Sequence, residues 1–230
     1  MQNTQPIIKD LVLLGGGHSH VIVLRKFGMR PMPGVRITLV TRDLHAPYSG
    51  MLPGVIAGHY SFDDAHIDLA PLCRFAGARL YHTEAVGLDL SKKAVVCRGR
   101  PPVPYDLLSI DIGIAPDRSV LGASEHAVPV KPITGLVSRW KALEKRIRES
   151  VGPLRIGVVG AGAAGVELTL SMHRAVMKTG TTISQPEFHL FGAAPTVLPT
   201  HSRGAQRRFT RCLLYTSDAA DDTACVDLGG

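Results

Sequence analysis

Two glycine-rich turns, set 145 residues apart at Gly15 and Gly160 in a chain of 230, constrain this sequence more than any other feature. The first lies in LVLLGGGHSH, residues 11–20, and the second in IGVVGAGAAGVE, residues 156–167. Each follows a short apolar run that reads as a buried parallel strand and precedes a stretch of helical periodicity. Glycine at such a turn lets the backbone reverse tightly and approach a pyrophosphate. The helix that follows presents free N–H groups and the positive end of its dipole to the phosphates. Two such turns in one α/β pattern imply a protein that binds two dinucleotides and passes electrons between them.

Residues 212–230 read CLLYTSDAADDTACVDLGG, with no strand or helix period and with an abrupt switch from basic to acidic residues. This stretch resembles the conceptual translation of a transposase-type sequencing adapter, the other reading being a natural acidic tail. The expectation is a native chain to about residue 211 and a tail that packs against nothing. The tail holds four aspartates and no Lys or Arg, so the net charge of +7 rises to +11 without it. Cys73 and Cys97 then remain, too few and too far apart for a disulfide framework. MQNTQPIIKD lacks the basic start and apolar core of a signal peptide, and no apolar run is long enough to span a bilayer. A reducing, cytoplasmic setting is expected, with peripheral contact at the inner membrane left open. Arg and Lys are scattered and aromatics make up only 5% of the chain. A solvated basic surface is therefore expected, with no nucleic-acid partner.

Residues 7–15 read as the first strand, 18–28 as the first helix and 35–40 as the second strand, the opening of a doubly wound fold. The glycine pattern is Gly15-x-Gly17-x-x-His20, so histidine fills the third position. The second strand ends in Thr41, Arg42 and Asp43 rather than in the acid that usually holds a ribose hydroxyl. Six histidines fall between His18 and His82, but none forms an HxxxH pair or adjoins a cysteine pair, so no metal site is expected. His18 and His20 are expected beside the pyrophosphate. HAPYSGMLPGVIAGHY, residues 45–60, reads either as a loop into a short helix or as a cover for one face of a flat ring.

Further on, 69–75 reads as a helix, 78–99 as strands joined by a turn at 91–93, and 105–110 as a buried strand ending in DIGIAP. Residues 134–150 show helical spacing and are punctuated by Gly152 and Pro153. Residues 154–159 form a β-branched strand leading into Gly160, Gly162 and Gly165, with a helix over 166–177 and a strand over 188–191. Gly192 and Ala193 stand where a ribose-binding acid belongs, so NADH and NADPH are not distinguished.

In GGGHSH, PYSGMLPG, YDLLSIDIGIAP, VPVKPI and VGAGAAGVEL, in this order, the chain resembles the FAD-dependent pyridine nucleotide–disulfide oxidoreductase superfamily. The likeness extends over residues 7–211. It is nearest to type II NADH dehydrogenase-like flavoproteins and to the flavoprotein module fused to selenide, water dikinase. It implies an α/β fold with two Rossmann-like FAD/NAD(P)-binding modules, the second truncated. An FAD-binding domain would occupy residues 1–152, an incomplete NAD(P)-binding domain 153–211, and the non-native tail 212–230. By the same likeness Gly15, Gly17 and Ser19 face the FAD pyrophosphate, and the backbone of Ala85 contacts the adenine. Asp111 opens the crossing beside FAD, where Ile114 replaces a small hydroxyl residue. Gly160, Gly162 and Gly165 hold the nicotinamide dinucleotide, while Glu167 and Lys131 lie near the flavin–nicotinamide contact. A first-turn helix acid is the plainer reading of Glu167.

The disulfide reductases of the superfamily carry a CxxxxC pair beside the flavin, and PYSGMLPGVIAG holds no cysteine. Hydride from NAD(P)H would then leave FAD for a quinone, a small oxidant or a partner. A module serving selenide, water dikinase and a nucleotide sensor without turnover are the alternatives. The FAD domain of the related flavoproteins is completed by a returning segment, so the chain alone is expected not to be a working enzyme.

Overall fold

The computed structural model describes residues 6–152, 154–178 and 186–218; Pro153 and residues 219–230 lie outside them. The elements run β1 (Lys9–Leu14), α1 (His18–Met29), β2 (Val35–Thr41), β3 (His45–Pro47), α2 (Leu52–Ile56), β4 (His66–Asp68), α3 (Leu69–Phe75), β5 (Arg79–His82), β6 (Ala85–Asp89), β7 (Ala94–Cys97), β8 (Val103–Pro104) and β9 (Leu107–Ile110). They continue with α4 (Ala123–His126), α5 (Leu136–Glu149), β10 (Arg155–Val159), α6 (Ala163–Lys178), β11 (Glu187–Phe191) and α7 (Arg203–Asp218). The chain divides into two compact units, residues 1–49 with 63–136 and residues 50–62 with 137–230.

The first unit is organised by a four-stranded sheet in the order β5-β2-β1-β9, every pair parallel. Successive side chains of a strand point to opposite faces. Leu13 and Leu39 therefore pack with Leu24 of α1 and Leu69 and Cys73 of α3. Val12, Leu14 and Val40 face the other way, onto Val95, Cys97 and Val103 of the antiparallel sheet β6-β7-β8. A sheet covered on both faces needs apolar residues at consecutive positions, which is why LVLL does not alternate with polar residues. Leu13, Leu24, Leu39 and Leu69 are fully buried, each contributing about 1.5–3 kcal/mol of hydrophobic stabilisation. Asp68 caps α3 by accepting from Ala70 N–H at 2.9 Å. In the β6–β7 turn the Asp89 carboxylate accepts from Ser91 Oγ at 2.7 Å and Lys92 N–H at 3.0 Å. Those bonds favour its charged form and hold its pKa below the usual carboxylate value.

In the second unit β10 and β11 pair in parallel, Arg155 opposite Glu187 through Val159 opposite Phe191. Ala161, Val166, Leu190, Val197 and Leu198 form the core beside them, with Leu170, Phe209 and Leu213 packed against it. Leu52 and Ile56 of α2 are buried, and α2 packs on α6; the short helix of the sequence reading of 45–60 is present, but β3 and a 3-10 turn at Ser49–Met51 precede it in place of a plain loop. The stretch of helical spacing at 134–150 becomes a 3-10 turn at Ile133–Gly135 and then α5.

The first residues of the tail, 212–218, depart from the expectation that it packs against nothing. Helix α7 crosses Cys212 without a break and reaches Asp218, and Leu213 packs on the second unit's core. Gln206, Phe209 and Leu213 repeat at three- and four-residue spacing, and Leu213 continues a face established before residue 212. The Tyr215 side chain lies outside the described residues. No helix among the described residues is long and apolar enough to cross a membrane.

Candidate functional site

Both glycine turns sit at the C-terminal ends of parallel strands, where open α/β sheets bind ligands. Gly15 and Gly160 adopt φ of +96° and +114°, a region that side chains disfavour. In the second turn a Cβ on Gly165 would collide with the Gly160 carbonyl, so this glycine lets α6 lie against the turn. A Cβ on Gly162 would meet nothing within 4 Å. Gly162, Ala163 and Ala164 are all exposed, and α6 has no acid in its first turn. The dipole end of α6 is thus open to an anion.

The first turn is built differently. Gly17 is the N-cap of α1, with no side-chain cap and no acid in the first turn. An anion reaches it from β9 instead. Asp111 donates its N–H to the Leu14 carbonyl at 2.8 Å, and its own carbonyl accepts from Gly17 N–H at 3.2 Å. Its carboxylate accepts from Ser19 N–H at 3.0 Å. A Cβ on Gly17 would collide with that carboxylate. The first turn therefore already holds an oxyanion on the Ser19 N–H at its helix start, the kind of group that a helix N-terminus binds.

His20 corrects a sequence expectation. It is buried beneath the turn, not set beside a phosphate. Its Nδ1–H donates to the Gly15 carbonyl at 2.6 Å, and its Nε2 accepts from Ser109 Oγ at 2.9 Å, since the carbonyl can only accept. In the third-glycine position the imidazole fills the space between the helix and β9 and satisfies a buried carbonyl. His18 is half-buried, its ring 4.9 Å from that of Tyr48.

At the ribose position after β2, Arg42 and Asp43 pair at 3.1 Å, and Thr41 Oγ1 donates to the Asp43 carbonyl at 2.9 Å. After β11, a Cβ on Gly192 would press against Ala161 at 2.5 Å, so that position is packed on the turn. Ala85 starts β6 opposite Cys97. Lys131 is half-buried in the first unit, and Glu167 is exposed on α6 in the second, one turn in from the helix start and not in the first turn that the sequence suggested. The role of the Asp111 side chain and the His20–Ser109 contact were missed in the sequence. The available signal was a helix start with no capping residue, which requires an anion from elsewhere.

The thiols are not placed for exchange chemistry. Cys73 and Cys97 are buried and Cys212 is exposed. Burial pushes the Cys73 thiol up to about 11 and raises that of Cys97. At pH 8 this leaves Cys73 roughly a hundredfold less thiolate than an ordinary cysteine. Alkylation of the folded protein at pH 8, followed by peptide mapping, should label Cys212 well before Cys73 and Cys97. Equal labelling would show that the first unit is open.

No family model matches this chain. It is 24% identical over 182 residues to the sulfide-quinone reductase of Aquifex aeolicus strain VF5, a match over 77% of this chain and 42% of that protein. Among solved structures, the sulfide:quinone oxidoreductase of Aquifex aeolicus superposes with a TM-score of 0.69 at 22% identity, over 90% of this chain and 49% of that one. NDH2 from Plasmodium falciparum in complex with NADH gives 0.73 at 15% identity, over 90% and 46%. The NAD-dependent persulfide reductase of A. fulgidus gives 0.71 at 19%, over 90% and 38%. The chain thus spans about half the length of the proteins it matches, or less. The fold is the two-module, Rossmann-like α/β fold that these oxidoreductases share.

Proposed function

We propose that the chain belongs to an FAD-dependent oxidoreductase that takes hydride from NAD(P)H and delivers electrons to a quinone or another acceptor that is not a protein dithiol. The observation that carries this reading is the pair of glycine turns in one chain, each ending a parallel strand and opening a helix whose N-terminus holds or exposes anion-binding donors. The α1 turn is assigned to FAD, with Gly15, Gly17 and Ser19 at the pyrophosphate and Ala85 near the adenine. The α6 turn is assigned to the nicotinamide dinucleotide through Gly160, Gly162 and Gly165. FAD supplies the two-electron acceptance and release when bound. The chain's own part is to orient both dinucleotides by helix dipoles and main-chain N–H groups, with no nearby side chain blocking the α6 turn. Glu167 and Lys131 are proposed to position the nicotinamide against the flavin.

The acceptor follows from the cysteines. None of the four is spaced as CxxxxC, and none lies in the segment 45–60. A quinone is further supported by the likeness to a sulfide-quinone reductase. Residues beyond this chain are proposed to complete the flavin site, because β9 is left as an apolar edge strand. Anaerobic addition of NADH to the purified flavoprotein tests the assignment, since flavin that stays oxidised would remove it.

A further inference from the structure

We propose that Asp111 is an internal competitor for the phosphate cradle of α1: its carboxylate occupies the Ser19 N–H and the space before Gly17 that a dinucleotide pyrophosphate would take, and has to leave before one binds. The inference rests on the assignment of that turn to FAD and goes beyond it, because it makes Asp111 an opponent of the ligand and not a contact for it. Three observations converge. The start of α1 has no cap and no acid of its own, so its positive end is compensated only from outside the helix. The outside group is Asp111, 92 residues from Ser19, whose carboxylate accepts from Ser19 N–H at 3.0 Å and fills the space that a Cβ on Gly17 would need. Gly17 and Ser19 are also the residues through which the turn would meet the pyrophosphate.

The backbone explains how Asp111 arrives and why its side chain is free to leave. Leu14 pairs with Ile110 across β1 and β9, and the next residue is fixed by Asp111 N–H to the Leu14 carbonyl and Gly17 N–H to the Asp111 carbonyl. These bonds use the main chain alone. Rotation of the side chain would therefore clear the cradle without disturbing the strand or the turn. Among the described residues no Lys, Arg or His pairs with this carboxylate, so nothing but the amide and the dipole retains it. A carboxylate and a phosphate cannot share one amide, and their like charges repel at contact distance. FAD affinity then carries the cost of displacing Asp111, while the empty protein gains a capped helix.

The test is titration calorimetry of the apoprotein from the complete gene with FAD and with ADP, alongside thermal melts, for wild type, Asp111→Asn and Asp111→Ser. Both variants keep the main-chain bonds. Both should bind FAD and ADP at least tenfold more tightly than wild type and should melt several degrees lower when empty. A gain with Asn but not with Ser would trace it to a new amide donor and overturn the proposal. Unchanged or weaker FAD binding in both variants would overturn it while leaving the FAD assignment standing. If neither wild type nor variants bind FAD or ADP, the proposal falls together with that assignment.

Discussion

Gly17→Val should strip the protein of FAD, weakening binding at least tenfold, or 1.4 kcal/mol and more. A Cβ built on Gly17 collides with all three atoms of the Asp111 carboxyl group. A valine cannot be accommodated by moving that one side chain. Its two methyl groups would still fill the space in front of Ser19 N–H, where the phosphate has to sit. The damage is local, because Gly17 is a half-buried N-cap in an extended conformation, φ −69° and ψ 170°, which a side chain tolerates. The fold should survive with a loss of about 1 kcal/mol. Flavin absorbance per protein after gel filtration is the readout, and stoichiometric FAD in the variant would reject the cradle. The sign is opposite to that expected for Asp111→Asn, so two residues in one contact should move affinity in opposite directions.

Residues 1–230 expressed alone should give aggregated or flavin-poor protein with no NADH oxidation. The reason lies in the surface. Ile112, Ile114, Val120, Leu121 and Val128 are all exposed, Leu121 completely, and they follow β9, whose outer edge is unpaired among the described residues. Leu107 and Ile110 on β9 are exposed as well, and Val159 at the end of β10 is 85% exposed. Unpaired apolar strand edges template association with other chains, and contiguous exposed apolar patches are rare on isolated soluble proteins. A stability of about 5–15 kcal/mol leaves little to offset such exposure. Light scattering, flavin content and NADH consumption check this. A monodisperse, yellow preparation that NADH bleaches would contradict it.

The sequence made the local features legible and the long-range ones obscure. LVLL announced a strand buried on both faces, and 69–75 marked α3 to the residue because Asp68 caps it and Gly77 follows it. The full glycine set at 160–165 predicted the β10–α6 turn, and GGGHSH predicted the β1–α1 turn despite its histidine. What failed depends on partners distant in the chain. His20 looked like a group near phosphate until Ser109 and the Gly15 carbonyl enclosed it. Asp111 looked like part of a crossing segment until β9 aligned with β1 and delivered it to α1. The pairing of β3 with β4 involves three residues on each side, too few for a period to register. The likeness of residues 212–230 to a translated adapter sets a boundary at 212, yet Leu213 repeats the face set by Gln206 and Phe209.

If one turn holds FAD and the other a nicotinamide dinucleotide, electrons should pass between the two cofactors. Anaerobic titration of NADH or NADPH into the flavoprotein from the complete gene, followed by flavin absorbance, tests it most directly. The account predicts a yellow protein whose flavin is bleached by one equivalent of reduced nucleotide and recovers on addition of a quinone. A yellow protein that binds the nucleotide yet keeps its flavin oxidised, or a protein purified without flavin that takes none up, would contradict it.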